Sequence, residues 1–213
     1  MPENKIIHLT VGPVATNCWI YPFGDGNAAV IDPGDEADAI ISALKKNSLV
    51  PEYILLTHGH FDHIAAVPSL AAAFSPKPQI AIHRFDSQYL GPDAYKTQII
   101  SAKAALGDTS LIGLSWQNMP PADSLLDEGS LIGPFITLHL PGHTQGSAAF
   151  WDKKDGILFT GDTLFRRGYG RTDLPGGSEE QIIESLKRLF RMDPGIAVYP
   201  GHGKTTTIAD ESV

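Results

Sequence analysis

The chain has 213 residues, 42% hydrophobic and 19% charged, a composition that indicates a soluble globular protein and excludes a disordered or membrane-spanning one. Its formal net charge of −8 would repel a polyanion such as DNA, so we expect no nucleic-acid partner. The single cysteine, Cys18, excludes a disulfide within the chain and is interpreted as a small buried hydrophobic residue.

The beginning of the chain, MPENKIIHLT, contains no basic segment followed by a long apolar stretch, so the sequence predicts no signal peptide. The apolar runs elsewhere are short and interrupted, which argues against a transmembrane helix. We therefore expect a cytoplasmic protein with no membrane partner.

Nine short runs rich in β-branched or aromatic residues predict strands. In chain order they lie at about 5–11, 17–22, 28–31, 53–56, 79–83, 135–140, 147–152, 157–160 and 196–199. Apolar residues at helical spacing predict helices at 35–47, 93–106 and 178–190. In the last of these, Ser178 and Gln181 stand in the register of a capping box.

Strands and helices are mixed along the whole chain, and no Gly/Ser-rich or Pro-rich linker divides it. The sequence therefore predicts one α/β or α+β domain over residues 1–213. Residues 107–124 show weak periodicity and contain two prolines, which predicts a long loop of the kind that often covers a site.

Four of the predicted strands end in a similar way, with glycine and a possible metal ligand after an apolar run. They read ILLTHGH (54–60), ITLHLPGH (136–143), ILFTGD (157–162) and IAVYPGH (196–202). Since the carboxyl ends of strands commonly line one edge of a sheet, and glycine allows the backbone to turn sharply, these ligands are expected to converge.

Seven side chains in or beside these motifs have the chemistry of metal ligands. They are His58, His60, Asp62, His63, His143, Asp162 and His202. Burying so many ionisable groups together without a cation would cost several kcal/mol, so the sequence predicts a metal site. The remaining histidines, His8, His83 and His139, do not stand beside a strand-end glycine and are interpreted as packed or surface residues.

The motif THGHFDH resembles the H-x-H-x-D-H signature of the metallo-β-lactamase fold, and the later PGH, GD and PGH elements are similar to that family's further motifs in the same order. The resemblance runs from about Ile6 to Thr207. It implies a four-layered αβ/βα sandwich, with two mixed sheets face to face, helices outside and metal at one edge.

The resemblance also implies how the seven ligands are divided. One metal would be held by His58, His60 and His143, the other by Asp62, His63 and His202, with Asp162 bridging the two.

Imidazole and carboxylate ligands suit zinc, iron and manganese and leave the metal Lewis-acidic. We expect two divalent ions, with zinc as the first choice. Two ions about 3.5–4 Å apart can share a water molecule and lower its pKa to about 7, so that a bridging hydroxide attacks a substrate carbonyl. Asp62 and Asp162 are the candidate catalytic carboxylates at this position.

Asp32, in AAVIDPG, matches an aspartate that the family keeps beneath the metal loop. One interpretation is that it accepts hydrogen bonds that fix the loop carrying the ligands. The other is a simple turn-forming aspartate before Pro33 and Gly34.

The segment after Asp162, GDTLFRRGYGRTDLPGGS, resembles glyoxalase II (hydroxyacylglutathione hydrolase) and its relatives. The resemblance implies that Arg171 binds the thiol side of a small-molecule thioester, with Arg166, Arg167 and Tyr169 as weaker candidates. The implied reaction is hydrolysis of S-acyl thiol conjugates such as S-lactoylglutathione.

Two features distinguish this chain from glyoxalase II proper. That enzyme has a C-terminal helical domain, whereas only eleven residues follow His202 here, so the chain resembles the short single-domain type. In addition, GYGRTD is similar to a segment of persulfide dioxygenases, which implies an alternative function as a mononuclear-iron enzyme acting on glutathione persulfide.

Overall fold

Twelve strands form two six-stranded sheets within residues 6–212, the part of the chain that the computed structural model describes. The first sheet contains, in order across it, β1 (Ile7–Val11), β2 (Thr16–Phe23), β3 (Asn27–Ile31), β4 (Val50–Leu56), β5 (Gln79–His83) and β6 (Ser124–Leu126). The second contains β7 (Leu131–Ile132), β8 (Phe135–His139), β9 (Ala148–Asp152), β10 (Ile157–Gly161), β11 (Ala197–Pro200) and β12 (Thr206–Thr207).

Both sheets are mixed, as the resemblance implies. In the first sheet β3, β4, β5 and β6 are parallel neighbours, whereas β1, β2 and β3 pair antiparallel. In the second sheet only β10 and β11 pair in parallel. The helices are α1 (Ala37–Lys46), α2 (Phe61–Ile64), α3 (Val67–Ala73), α4 (Ala94–Leu106), α5 (Glu179–Leu189) and α6 (Ile208–Glu211). Short 3₁₀ helices lie at Arg84–Tyr89, Gly91–Asp93 and Leu114–Asn118.

Strand β2 shows how the sequence divides the core into layers. Successive side chains of a strand point to opposite faces, so Cys18 and Ile20 pack toward the helices while Trp19 and Tyr21 pack between the sheets. The fully buried thiol of Cys18 has its pKa raised, mainly by burial, in agreement with its interpretation as an inert hydrophobic residue.

Three apolar clusters separate four layers. Helices α1, α3 and α4 cover the outer face of the first sheet, and α5 and α6 cover the outer face of the second. Between the sheets, Phe135, Phe150 and Phe159 are fully buried, and each contributes about 1.5–3 kcal/mol to the free energy of unfolding. The predicted αβ/βα sandwich is therefore confirmed.

All nine predicted strands and all three predicted helices are present, with ends displaced by at most three residues. The three short strands β6, β7 and β12 and the helices α2, α3 and α6 escape prediction because two to seven residues carry too little periodicity. Helix α5 has only half of a capping box: Ser178 accepts a hydrogen bond from the Gln181 backbone, but the Gln181 side chain contacts Gln145 instead.

The predicted loop at 107–124 contains a 3₁₀ helix and buries Ile112, Trp116 and Met119 against the first core cluster. It therefore contributes to the helical layer. Within residues 6–212, no helix is long and apolar enough to cross a membrane.

Candidate metal centre

Strand direction explains why ligands far apart in the sequence meet. Strands β8 and β10 both run antiparallel to β9, and β11 runs parallel to β10, so β8, β10 and β11 share one direction. Their carboxyl ends therefore lie at the same edge of the second sheet, and His143, Asp162 and His202 follow these ends. Strand β4 of the facing sheet supplies the remaining ligands from the segment 58–63.

The first ligand group consists of His58, His60 and His143. All three are buried, and they offer ring nitrogens that lie within 4.8 Å of one another. Nδ1 of His60 and Nε2 of His143 are 2.9 Å apart, although 83 positions separate the two residues.

The second ligand group consists of Asp62, His63 and His202, whose ligand atoms also lie within 4.8 Å of one another. The short helix α2, which follows the carboxyl end of β4, carries Asp62 and His63 as consecutive residues. Nε2 of His63 and Nε2 of His202 each lie 3.4 Å from Oδ2 of Asp62.

Asp162 lies between the two groups. Its Oδ1 is 3.4 Å from Nε2 of His63, and its Oδ2 is 3.6 Å from Nε2 of both His143 and His202. One carboxylate thus reaches a member of each group, which is the geometry that a bridging ligand requires. The structure brings all seven predicted side chains together.

The three other histidines lie elsewhere. His8 stacks on Trp19 and its Nε2 is 2.7 Å from Oδ1 of Asn17. The rings of His83 and His139 stack on each other at 4.0 Å.

Three ligand histidines are oriented through the ring nitrogen that faces away from the cluster. Nδ1 of His58 lies 3.1 Å from the Thr57 hydroxyl, and Nδ1 of His143 lies 2.7 Å from the carbonyl oxygen of Arg171. Nδ1 of His63 lies 3.0 Å from Oδ2 of Asp32. Such contacts fix both the ring orientation and the tautomer, leaving Nε2 able to bind a metal.

Asp32 has the contacts of a residue that fixes the ligand loop. Its Oδ1 accepts a hydrogen bond from the Thr57 backbone N–H at 2.8 Å, and its Oδ2 accepts one from the Thr57 hydroxyl at 2.7 Å. Since Thr57 precedes His58, Asp32 supports both ligand groups at once. These contacts favour the loop-fixing interpretation over the simple turn.

The pKa shifts separate the histidines by their surroundings. Burial, reinforced by neighbouring imidazoles, holds the pKa of His58 well below its ordinary value, so this ring is neutral and able to bind a cation. Burial also lowers the pKa of His63, but the carboxylates of Asp62, Asp162 and Asp32 outweigh that effect and raise it to about 10. A cation must therefore displace a proton from His63.

The hydrogen bonding of the buried ligand atoms also indicates a metal site. Buried polar atoms nearly always have a hydrogen-bond partner. Within residues 6–212, the buried atoms that have none include Nε2 of His58, Nε2 of His63 and Oδ1 of Asp162. Three such atoms in one cluster are explained if cations take the place of hydrogen-bond donors there, since imidazole nitrogen and carboxylate oxygen are good ligands for zinc, iron and manganese.

Sequence reasoning did not find Thr16 and Asn17 at the beginning of β2. The Thr16 hydroxyl donates to Oδ2 of Asp62 at 2.9 Å. The Asn17 amide donates to the carbonyl oxygens of Pro200 and Gly203, at 3.0 and 2.9 Å, and so holds the loop that carries His202. A polar pair before an apolar strand is too common a pattern to have indicated these roles.

A cleft of about 240 Å³ opens onto the cluster. Its lining combines the ligands His60, Asp62, His143, Asp162 and His202 with the apolar side chains of Val14, Phe61, Leu106, Phe165 and Leu174, and with Arg171. The end of α4 contributes to this lining. The segment 107–124, predicted as a loop of the kind that covers a site, contributes no residue to it.

Arg171 is the cation of the cleft. Its guanidinium is about half exposed and forms two hydrogen bonds with the Asp173 carboxylate, at 2.7 and 2.8 Å. Arg166, Arg167 and Tyr169 are exposed and lie outside the lining of this cleft.

Comparison with known proteins agrees with this geometry. A family model described as the metallo-beta-lactamase superfamily matches residues 11–202. The hydroxyacylglutathione hydrolase GloC of Haemophilus influenzae is 35% identical over 198 residues, which cover 92% of this chain and 89% of that protein.

Two solved structures superpose on nearly the whole chain, each with a TM-score of 0.82. TTHA1623, in a di-iron-bound form, is 36% identical and the match covers 96% of both chains. The BLEG-1 B3 metallo-beta-lactamase is 33% identical, with 97% of this chain and 95% of that one covered. With the family model, the relatives and the ligand cluster in agreement, the chain belongs to the metallo-beta-lactamase superfamily.

Proposed function

We propose that this chain is a metal-dependent thioester hydrolase that cleaves S-acyl thiol conjugates such as S-lactoylglutathione. The observation that carries the proposal is the pair of ligand groups joined by Asp162, at the end of a cleft that contains one cationic side chain, Arg171. The similarity to a protein named hydroxyacylglutathione hydrolase supports the substrate class.

The residues of the two ligand groups would hold two divalent ions, with Asp162 between them. Zinc is our first choice, while iron is supported by the di-iron-bound form of TTHA1623, and manganese suits the same ligands. When bound, such ions supply Lewis acidity and lower the pKa of a water molecule from about 15.7 towards 7.

The side chains of the cleft then determine how a thioester lies. Apolar residues such as Phe61, Phe165 and Leu174 exclude bulk water from the acyl group. Two N–H groups of Arg171 are fixed by Asp173, and Nη1 donates a third hydrogen bond to the Ala105 carbonyl oxygen at 3.4 Å. The remaining N–H groups are able to bind a carboxylate or peptide carbonyl on the thiol part of the substrate.

In the proposed reaction a water oxygen forms a bond with the acyl carbon and the C–S bond breaks. The electron pair of that bond leaves with the sulfur as a thiolate. Because an ordinary thiol has a pKa of about 8.5, this leaving group departs without a protonated side chain beside it. One proton of the attacking water ends on the departed sulfur, so the products are a carboxylic acid and a free thiol.

The alternative, a mononuclear-iron persulfide dioxygenase, keeps its support from the segment GYGRTD at 168–173. The ligand residues by themselves fit both enzymes, and the hydrolase is favoured by the 35% identity to a protein named hydroxyacylglutathione hydrolase.

The test measures metal content and turnover on the same preparation. We expect about two metal ions per chain, release of thiol from S-lactoylglutathione, and loss of this activity on treatment with a chelator. Oxygen uptake with glutathione persulfide in a protein that carries one iron would instead establish the dioxygenase, and turnover of a β-lactam alone would reject the thioester substrate.

Arg171→Met tests the substrate orientation. We expect KM for the thioester to rise by about 10-fold or more with little change in kcat, since a hydrogen bond to a charged group contributes about 1.5–3 kcal/mol. Arg166→Met, at an exposed arginine of the same segment, is the matched control and should behave as the wild type.

A further inference from the structure

A buried carboxylate that belongs to neither ligand group lies directly behind the metal centre. Asp86, in the 3₁₀ helix Arg84–Tyr89 that follows β5, is only 1% exposed. Its Oδ2 accepts hydrogen bonds from the Gly59 backbone N–H at 2.9 Å and from the Thr144 hydroxyl at 2.8 Å. Its Oδ1 accepts one from the Gly146 backbone N–H at 2.8 Å.

The donors belong to two different ligand loops. Gly59 lies between His58 and His60, and Thr144 directly follows His143. The first ligand group therefore draws its three imidazoles from two loops, and the Asp86 carboxylate bonds to both of them. The two loops belong to different sheets, since one follows β4 and the other follows β8.

Steric contacts show how tightly these loops lie against the 3₁₀ helix. A Cβ atom added at Gly146 would lie 2.6 Å from Oδ1 of Asp86, and one added at Gly59 would lie 2.2 Å from the ring of Tyr89. Both distances are far below van der Waals contact, so only glycine allows this approach. On the other side of the same peptide segment, the Gln98 amide donates to the carbonyl oxygen of Gly59 at 2.6 Å.

The second ligand group is fixed by other residues. Thr16 bonds to Asp62, Asp32 bonds to His63, and Asn17 holds the loop of His202. The hydrogen bonds of Asp86, in contrast, come from residues beside the ligands of the first group.

We propose that Asp86 is a positioning residue that sets the spacing between the His58–His60 loop and the His143 loop, and thereby the metal affinity of the first ligand group. Hydrogen bonds to an ionised carboxylate are roughly twice as strong as neutral ones, so three of them hold both loops firmly. Residues that orient ligands in this way typically contribute about 10- to 100-fold in metal affinity. The inference rests on the metal centre of the proposed function, not on its thioester substrate.

The test is Asp86→Asn, compared with Asp152→Asn as a matched control. Asp152 is also a buried carboxylate, and it accepts the same kinds of hydrogen bond: two from backbone N–H groups, of Lys154 and Asp155, and one from a hydroxyl, of Tyr21. It lies on β9, away from both ligand groups. The two variants therefore lose equivalent contacts at different places in the fold.

Metal affinity is measured by competition with a chromophoric chelator, using zinc alone as the probe, and thermal unfolding is followed on chelator-treated protein. We expect Asp86→Asn to lose about 10- to 100-fold in affinity for one of two zinc ions and to retain the other. Its zinc titration should resemble that of His60→Ala, which removes a ligand of the first group. It should differ from that of His202→Ala, which removes a ligand of the second group. Asp152→Asn should bind both ions as the wild type does, even though its unfolding temperature falls.

Thr144→Val provides a milder variant, because it removes one donor and keeps the carboxylate, and we expect a smaller loss at the same ion. Wild-type affinity in both Asp86→Asn and Thr144→Val would overturn the inference. So would an equal loss at both ions, or a loss that Asp152→Asn reproduces. A wild-type protein that binds no zinc, iron or manganese would overturn the proposed function as well, whereas a metal-loaded protein without thioesterase activity would leave this inference standing.

Discussion

Nδ1 of His63 and Oδ2 of Asp32 form a hydrogen bond of 3.0 Å, although 31 positions separate the two residues in the chain. The same carboxylate accepts two hydrogen bonds from Thr57, the residue before His58. Asp32 therefore connects the loop of the first ligand group with a ligand of the second. A change at this buried residue should affect both metals.

Replacing Asp32 by alanine is expected to lower metal affinity at both ligand groups by about 10- to 100-fold, because the rings of His58 and His63 lose their orientation. It should also lower the free energy of unfolding by about 1–3 kcal/mol for each buried donor left unpaired. Metal titration and urea unfolding measure the two effects. Asp35→Ala, which removes an exposed carboxylate three positions later, is the control, and a loss confined to one metal would contradict the connection.

Removing a ligand should have a larger effect than removing a residue that orients one. For His60→Ala we expect hydrolytic activity to fall by more than about 100-fold while the far-UV circular dichroism stays unchanged, because His60 lies outside the three apolar clusters. The control is His139→Ala, at a histidine outside the ligand groups. Thioester turnover retained by a metal-analysed His60→Ala sample would reject the assigned role.

Asn17 should matter for the second ligand group alone. Its amide holds the carbonyl oxygens on both sides of His202, so Asn17→Ala is expected to weaken binding of one metal by about 10-fold and to spare the other. Metal titration of the variant, read beside that of His202→Ala, checks which ion is affected. Asn47→Ala removes an exposed amide that also donates to a backbone carbonyl and should change neither affinity.

His83 gives the free energy of unfolding a pH dependence separate from the metal centre. Burial, together with the stacked His139, lowers the pKa of His83 to about 4, whereas an unfolded histidine has a pKa of about 6.5. Between these values the unfolded chain binds more protons than the folded one. The stabilisation is therefore complete above pH 6.5 and is lost as the pH falls towards 4.

His83→Asn removes this titration and keeps an acceptor for the Phe85 backbone N–H. We expect the wild type to lose more stability than the variant between pH 7 and pH 4.5, as measured by urea unfolding at each pH. Parallel stability curves for the two proteins would show that the pKa of His83 is not lowered.

The features that the sequence determined are local ones. Within each of the four strand-end motifs, the glycine and the possible ligands lie within a few residues of each other, so local spacing indicates a metal site. The nine longer strands and three longer helices follow from periodicity over short windows. By contrast, β7 and β12 have two residues each and form only because a neighbouring strand is already in place.

Only the tertiary structure decided how the ligands are held. Asp86 bonds to Gly146 across 60 positions, and Asn17 bonds to Pro200 across 183. A side chain accepts or donates according to which backbone groups the folded sheets bring near it, and no local periodicity encodes that choice. The sequence therefore determined which residues could bind a metal, while the packing of two sheets determined which polar residues orient them.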